Sequence, residues 1–154
     1  RGFSNAMQVL DAGRIGIAAL SVGLARGAHE AALGYAKERK AFGKTISAFQ
    51  AIQWKLADDA TRIEAARLLI HRAAANATAG FPSEVEASVA KTFANEAALA
   101  VVSDAMQLFG ANGYSCAYPL ERLYRDVRGF AIAGGTTQIQ RNLIARKVLG
   151  RRSY

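Results

Sequence analysis

Apolar residues recur at three- and four-residue steps through almost the whole of this chain, and only two prolines, Pro82 and Pro119, interrupt the rhythm. Such spacing lays apolar side chains along one face of an α-helix, without the strict alternation of a half-buried strand. Over about residues 5–40, Leu10, Ile17, Leu20, Leu24, Ala28, Ala31 and Tyr35 mark an inner face. A break at Phe42-Gly43-Lys44 precedes a second helix over about 47–78, with Ser47 as its candidate cap and Phe49, Ile52, Leu56, Ile63 and Ile70 inward. Gly80-Phe81-Pro82 stops it. Ser83 and Glu86 then have the spacing of a capping box for a third helix, which runs to about Phe109 with Val89, Phe93, Leu99, Val102 and Met106 inward. Gly110-Ala111-Asn112-Gly113-Tyr114 reads as a turn, Pro119 opens a short helix to about 128, and the last helix stops at Leu149-Gly150. The expected fold is all-α: an antiparallel, up-and-down four-helix-type bundle with additional short helices, one domain over 1–154.

Composition narrows the partners. With 51% hydrophobic residues the chain can bury a core, and its formal charge of +8 suggests anionic partners such as nucleotide phosphates, nucleic acid or an acidic protein. Nucleic acid has only charge in its favour: Arg141, Arg146, Lys147, Arg151 and Arg152 gather near the end without an aromatic platform or a recognised motif. Cations also suit a helix C-terminus. No nucleic-acid partner is expected, and no apolar run looks long enough to cross a bilayer. The first residues lack the pattern of a signal peptide, and the single cysteine, Cys116, forms no internal disulfide, which fits a soluble cytoplasmic protein. A di-metal carboxylate bundle needs Glu-x-x-His pairs, but Arg26 and Leu68 stand where His29 and His71 would need glutamate. No metal site is expected.

Two features point to a ligand. The first helix carries Gly13, Gly16, Gly23, Gly27 and Gly34 in its interior, each costing roughly 1 kcal/mol against alanine. Close helix packing or a ligand lying on the helix must compensate. The second feature is Gly134-Gly135-Thr136-Thr137-Gln138-Ile139-Gln140-Arg141. Its glycines permit positive φ, the threonines are good caps, and Thr137 and Gln140 have capping-box spacing. The first amides of a helix have no intrahelical acceptor, so this turn suits an anion or electron-rich ligand atoms.

Several separated motifs together resemble the C-terminal helical domain of acyl-CoA dehydrogenases. They are Leu10-Asp11-Ala12-Gly13-Arg14, Tyr35-Ala36-Lys37-Glu38-Arg39-Lys40-Ala41-Phe42-Gly43-Lys44 with Phe49-Gln50, Gln107-Leu108-Phe109-Gly110-Ala111-Asn112-Gly113-Tyr114, Tyr124-Arg125-Asp126, and the Gly135-Thr136 turn. The resemblance implies a fragment lacking the N-terminal helical and middle β-domains. It also implies a flavin, FAD, contacted by Arg39, Phe42, Gln50, Gln107, Gly110 and Ala111 at one end and by Gly135, Thr136 and Gln138 at the other, typically where two subunits share it. Arg39 would hold pyrophosphate oxygens and Phe42 would lie beside the nucleotide. Asp11 and Arg14 match positions facing the acyl-CoA substrate, although a pair three apart on one helix can instead bridge at the surface. A dimer or tetramer, or a mixed oligomer, is implied, with an electron acceptor the residues do not identify.

The reaction implied is α,β-oxidation of an acyl-CoA, in which a carboxylate removes the α-proton and hydride leaves to the flavin. The family's usual positions for that carboxylate correspond here to Gly134 and Gly13, and glycine takes no proton. Losing a positioned base costs on the order of 10²- to 10⁴-fold in rate. Four readings stay open: a dehydrogenase domain whose base lies elsewhere, a base-less FAD- and acyl-CoA-binding subunit of a mixed oligomer, an enzyme of a related elimination on an acyl-CoA, and a helical binding module. The fragment by itself is expected to be inactive.

Overall fold

A computed structural model describes residues 2–150, so Arg1, and Arg151 and Arg152 of the terminal basic cluster, lie outside the described residues. Three long helices carry the architecture: α1 (Gly2–Glu38), α2 (Gln50–Ala75) and α3 (Glu84–Phe109). Two shorter ones follow, α4 (Leu120–Phe130) and α5 (Thr137–Val148). The all-α bundle expected from the sequence forms, with α3 at its centre against α1, α2, α4 and α5.

Small residues build the main seam. On α1 the buried stripe is Asp11, Arg14, Ala18, Ser21, Ala25, Ala28, Ala32 and Ala36, and on α3 it includes Ala87, Ala90, Ala94, Ala98, Val101 and Ala105. Alanine against alanine permits an approach near the lower end of the usual helix spacing of about 8–10 Å. That seam corrects the expected inner face: Leu10 and Leu20 are 41% and 56% exposed, and Phe93 on α3 is 39% exposed, because alanines rather than bulky side chains fit between the two helices. Ile52, Leu56 and Ile63 of α2 pack on the core as expected. Over Asn5–Glu38, α1 is also long and apolar enough to cross a bilayer by length and composition, against the reading of the sequence. In the bundle one face of it packs on α3, with Asp11 and Arg14 inside.

Helix ends follow local hydrogen bonding. α1 stops at Glu38 rather than near Lys40, because Lys40–Ala41 (β1) pairs antiparallel with Lys44–Thr45 (β2). Phe42 and Gly43 between them both have positive φ, +51° and +79°, as a type I′ hairpin turn requires. Ser47 does not cap α2: it lies in the 3₁₀ turn Ile46–Ala48, and Phe49 takes the cap position without a side-chain bond. α2 ends at Ala75, short of 78, because Thr78 pairs with Phe81. Ser83 caps α3 as expected, its Oγ accepting from the Glu86 amide at 3.2 Å. At α5 the cap is Thr136, not Thr137. Its hydroxyl accepts from the Ile139 amide at 3.4 Å.

Candidate functional site

Where α1 ends and α3 turns, an open cleft of about 330 Å³ is lined by Tyr35, Arg39, Ile46, Gln107, Gly110 and Ala111. Its floor is fixed by Tyr35, which stacks on Phe109 at 4.0 Å between centroids and accepts a hydrogen bond from Asn112 Nδ2 at 3.1 Å. Gly110 closes α3 with φ +59°, and nothing lies within 4 Å of the place a Cβ would take, so a ligand can come against its backbone. Gly113 is the opposite case. A Cβ there would sit 2.5 Å from the Met106 carbonyl oxygen, so only glycine lets the turn fold back onto α3. The exposed guanidinium of Arg39 forms no ion pair among the described residues. Phe42, at the hairpin tip, is 95% exposed, its ring edge-on to Phe49 at 6.3 Å, and Gln50 opens α2 beside it. A phenyl ring held at positive φ in solvent is no core anchor.

The Gly134–Gly135 turn lies at the other end, over the N-terminal half of α1. Its glycines have φ +67° and +95°. A Cβ on Gly134 would lie 2.6 Å from Ile17 Cδ1, and one on Gly135 would lie 2.7 Å from Gln140 Nε2. Gly13 sits one helical turn before Ile17 with open space around it, so the two expected base positions bracket this isoleucine. Thr136 is half-buried as the α5 cap, and Gln138 is exposed.

Asp11 and Arg14 are not a surface pair. Both are turned into the bundle, only 8% and 6% exposed, with the Arg14 guanidinium donating to the Asp11 carboxylate. Burial pushes the Asp11 carboxyl up, Arg14 opposes that, and Glu84 adds to it. Beside them lies a residue sequence reasoning missed: Lys91, wholly buried, whose ammonium donates to the Gly135 carbonyl at 2.6 Å. Burial, and then the neighbouring Arg14 charge, lower Lys91 to about 8. The available signal was a lysine spaced four after Ala87 and three before Ala94, inside an alanine stripe.

The expected contacts therefore fall into two sets. Arg39, Phe42, Gln50, Gln107, Gly110 and Ala111 gather at one end of the bundle, and Gly134, Gly135, Thr136 and Gln138, above Asp11 and Arg14, at the other. Along α1, Ile17 and Tyr35 mark the two ends, roughly 27 Å apart at the helical rise.

A helical bundle with a cleft at one end and a glycine turn over buried charges at the other matches one family throughout. Residues 1–149 match the acyl-CoA dehydrogenase C-terminal domain. The chain belongs to that family. It is 48% identical to a 3-(aryl)acrylate reductase of Clostridium sporogenes, over 97% of this chain and 40% of that protein. Identity is 47% to a 3-sulfinopropanoyl-CoA desulfinase of Paraburkholderia xenovorans, over 98% of this chain and 39% of that protein. It is also 47% to the caffeyl-CoA reductase-Etf complex subunit CarC of Acetobacterium woodii, over 97% and 39%. Among solved structures, butyryl-CoA dehydrogenase from Megasphaera elsdenii superposes with a TM-score of 0.92 at 42% identity, over 96% of this chain and 39% of that one. The chain thus spans about two fifths of the length of the relatives it matches.

Proposed function

We propose that this chain is the flavin- and dimer-forming domain of an FAD-dependent acyl-CoA oxidoreductase. The observation that carries the reading is the convergence of Arg39, Gln107, Gly110 and Ala111 on one cleft, from parts of the chain far apart in sequence. These residues fit a dinucleotide: an unpaired guanidinium for pyrophosphate, and a glycine backbone open to close approach. The turn at the other end fits as well, because the amides of Gly134, Gly135 and Thr136 have no acceptor among the described residues. With the two sets at opposite ends of the bundle, each FAD would draw one set from each of two chains. When bound, FAD would supply the acceptor for hydride from the acyl β-carbon. The proposed redox partner is an electron-transferring flavoprotein, a reading supported by the name of the CarC relative.

Neither Gly134 nor Gly13 removes an α-proton, so for dehydrogenation the base comes from outside these residues. A second reading has its own observation: Ile17 Cδ1 fills the space a side chain at 134 would need. That favours a reaction that leaves the α-proton in place, such as cleavage of the bond between a β-carbon and a sulfinate sulfur, in which water gives its hydroxyl to the sulfur and its proton to the carbon, and the desulfinase relative lends it support. Full-length protein expressed alone decides. Bleaching of its flavin by a simple acyl-CoA supports dehydrogenation. Release of sulfite and propanoyl-CoA from 3-sulfinopropanoyl-CoA and water, without net bleaching, supports the desulfinating reading, and a bound flavin inert to both leaves the base-less subunit.

A further inference from the structure

Behind the Gly134–Gly135 turn sits a buried clamp. Gln140, wholly buried, donates through Nε2 to the Gly134 carbonyl at 3.3 Å and to the Gly135 carbonyl at 3.2 Å. Lys91, on α3, donates to the same Gly135 carbonyl at 2.6 Å. In a trans peptide the N–H points opposite to the C=O, so pulling these two carbonyls into the bundle turns the Gly135 and Thr136 amides away from it. No cis bond occurs among the described residues, and these two amides have no acceptor there. A cation behind a carbonyl polarises the whole peptide, and the effect is strong where water is excluded. The site is costly to maintain: Gln140 Oε1 and Arg14 Nε, both buried, find no partner among the described residues, and of the two buried cations, Arg14 and Lys91, only Arg14 is bonded to a carboxylate there, that of Asp11. Such an arrangement needs a return that packing alone does not give.

We propose that Lys91, with Gln140, is a positioning residue that acts through the Gly135–Thr136 peptide. It aims and strengthens two outward amides as donors to an oxygen that gains negative charge during the reaction. That oxygen belongs either to the flavin ring as it is reduced or to the thioester carbonyl as the enolate-like state forms. The inference rests on the FAD and acyl-CoA reading above. Lys91 touches neither ligand in this account, and it enters the reaction only through the backbone it holds.

The test uses full-length protein loaded with FAD, its Lys91→Met and Lys91→Arg variants, and Gln140→Leu as a second way to open the clamp should Lys91→Met fail to fold. In each variant flavin content, flavin midpoint potential, and kcat and KM for an acyl-CoA are compared with the parent. If the oxygen is the flavin's, Lys91→Met retains FAD but makes its two-electron reduction about tenfold less favourable, a fall of about 30 mV. If it is the thioester's, the potential holds while kcat falls on the order of tenfold at unchanged KM. Lys91→Arg restores the parent value in either case, and Gln140→Leu moves the same readout less. A parent protein that binds no flavin overturns the functional reading itself. A flavin-loaded Lys91→Met protein with parental potential and kcat overturns this inference alone, whatever happens to its melting temperature.

Discussion

Gly134 shows how one side chain decides what can be rebuilt. Restoring a carboxylate there meets two obstacles: φ +67°, which costs a non-glycine residue roughly 1–2 kcal/mol, and Ile17 Cδ1 at 2.6 Å from the new Cβ. Gly13 has helical φ and open space. Gly13→Glu in the full-length protein is therefore expected to raise acyl-CoA-dependent flavin bleaching above Gly134→Glu, and equal rates from the two variants would sink the steric argument. Asp59 gives a second prediction. It is 1% exposed, one oxygen takes a bond from Arg62 at 3.0 Å, and Oδ2 has no partner among the described residues. Burial first, and then Asp104, raise it to about 6. Because the folded-state value lies above the unfolded one, the folded chain binds more protons between about pH 4 and pH 6, and stability falls as pH rises through that window. Asp59→Asn should be more stable than the parent at pH 7 by on the order of 1–3 kcal/mol, with the difference vanishing near pH 4 in denaturant titrations. No gain at pH 7 would mean that Arg62 already compensates the charge.

At the scale of the element, the cap of α3 was legible, and those of α2 and α5 were not. Ser83 caps α3 because the serine and Glu86 stand at the one spacing that lets the hydroxyl reach the amide, and Ser83→Ala should cost about 1 kcal/mol in a denaturation curve. Ser47 carried the same residue-level signal and failed, since the hairpin at Lys40–Thr45 feeds a 3₁₀ turn that sets Phe49 at the start of α2. The glycines of α1 meet nothing within 4 Å at Gly16, Gly23, Gly27 or Gly34, so no helix among the described residues packs closely on them. Gly27→Ala and Gly34→Ala should each raise the stability of the chain by about 0.5–1 kcal/mol, read as an increase in Tm. A decrease in either would reveal a contact that this part of the protein does not contain.

In the whole molecule the two sets of proposed contact residues lie roughly 27 Å apart along α1. If FAD bridges two chains, a full-length protein with Arg39→Ala and another with Thr136→Ala should each bind flavin weakly, and co-assembly should restore it. Random pairing into symmetric dimers leaves roughly a quarter of the sites intact. Flavin content of the mixed protein, measured by absorbance after gel filtration, checks this. No recovery on mixing would place both half-sites within one chain.

The helical class and the turn positions were legible in the sequence, because helix periodicity, glycine and capping residues act over a few neighbours. The inward face of α1 was legible only in part: Leu24, Ala28, Ala31 and Tyr35 turn to the core as expected, while Leu10 and Leu20 give way to alanines that let two backbones approach. The burial of Asp11 and Arg14, the filling of the Gly134 position by Ile17, and the grip of Lys91 on the Gly135 carbonyl forty-four residues away were not legible. Those are contacts between segments far apart in the chain, and only the packing of α1 and α5 on α3 brings them within reach.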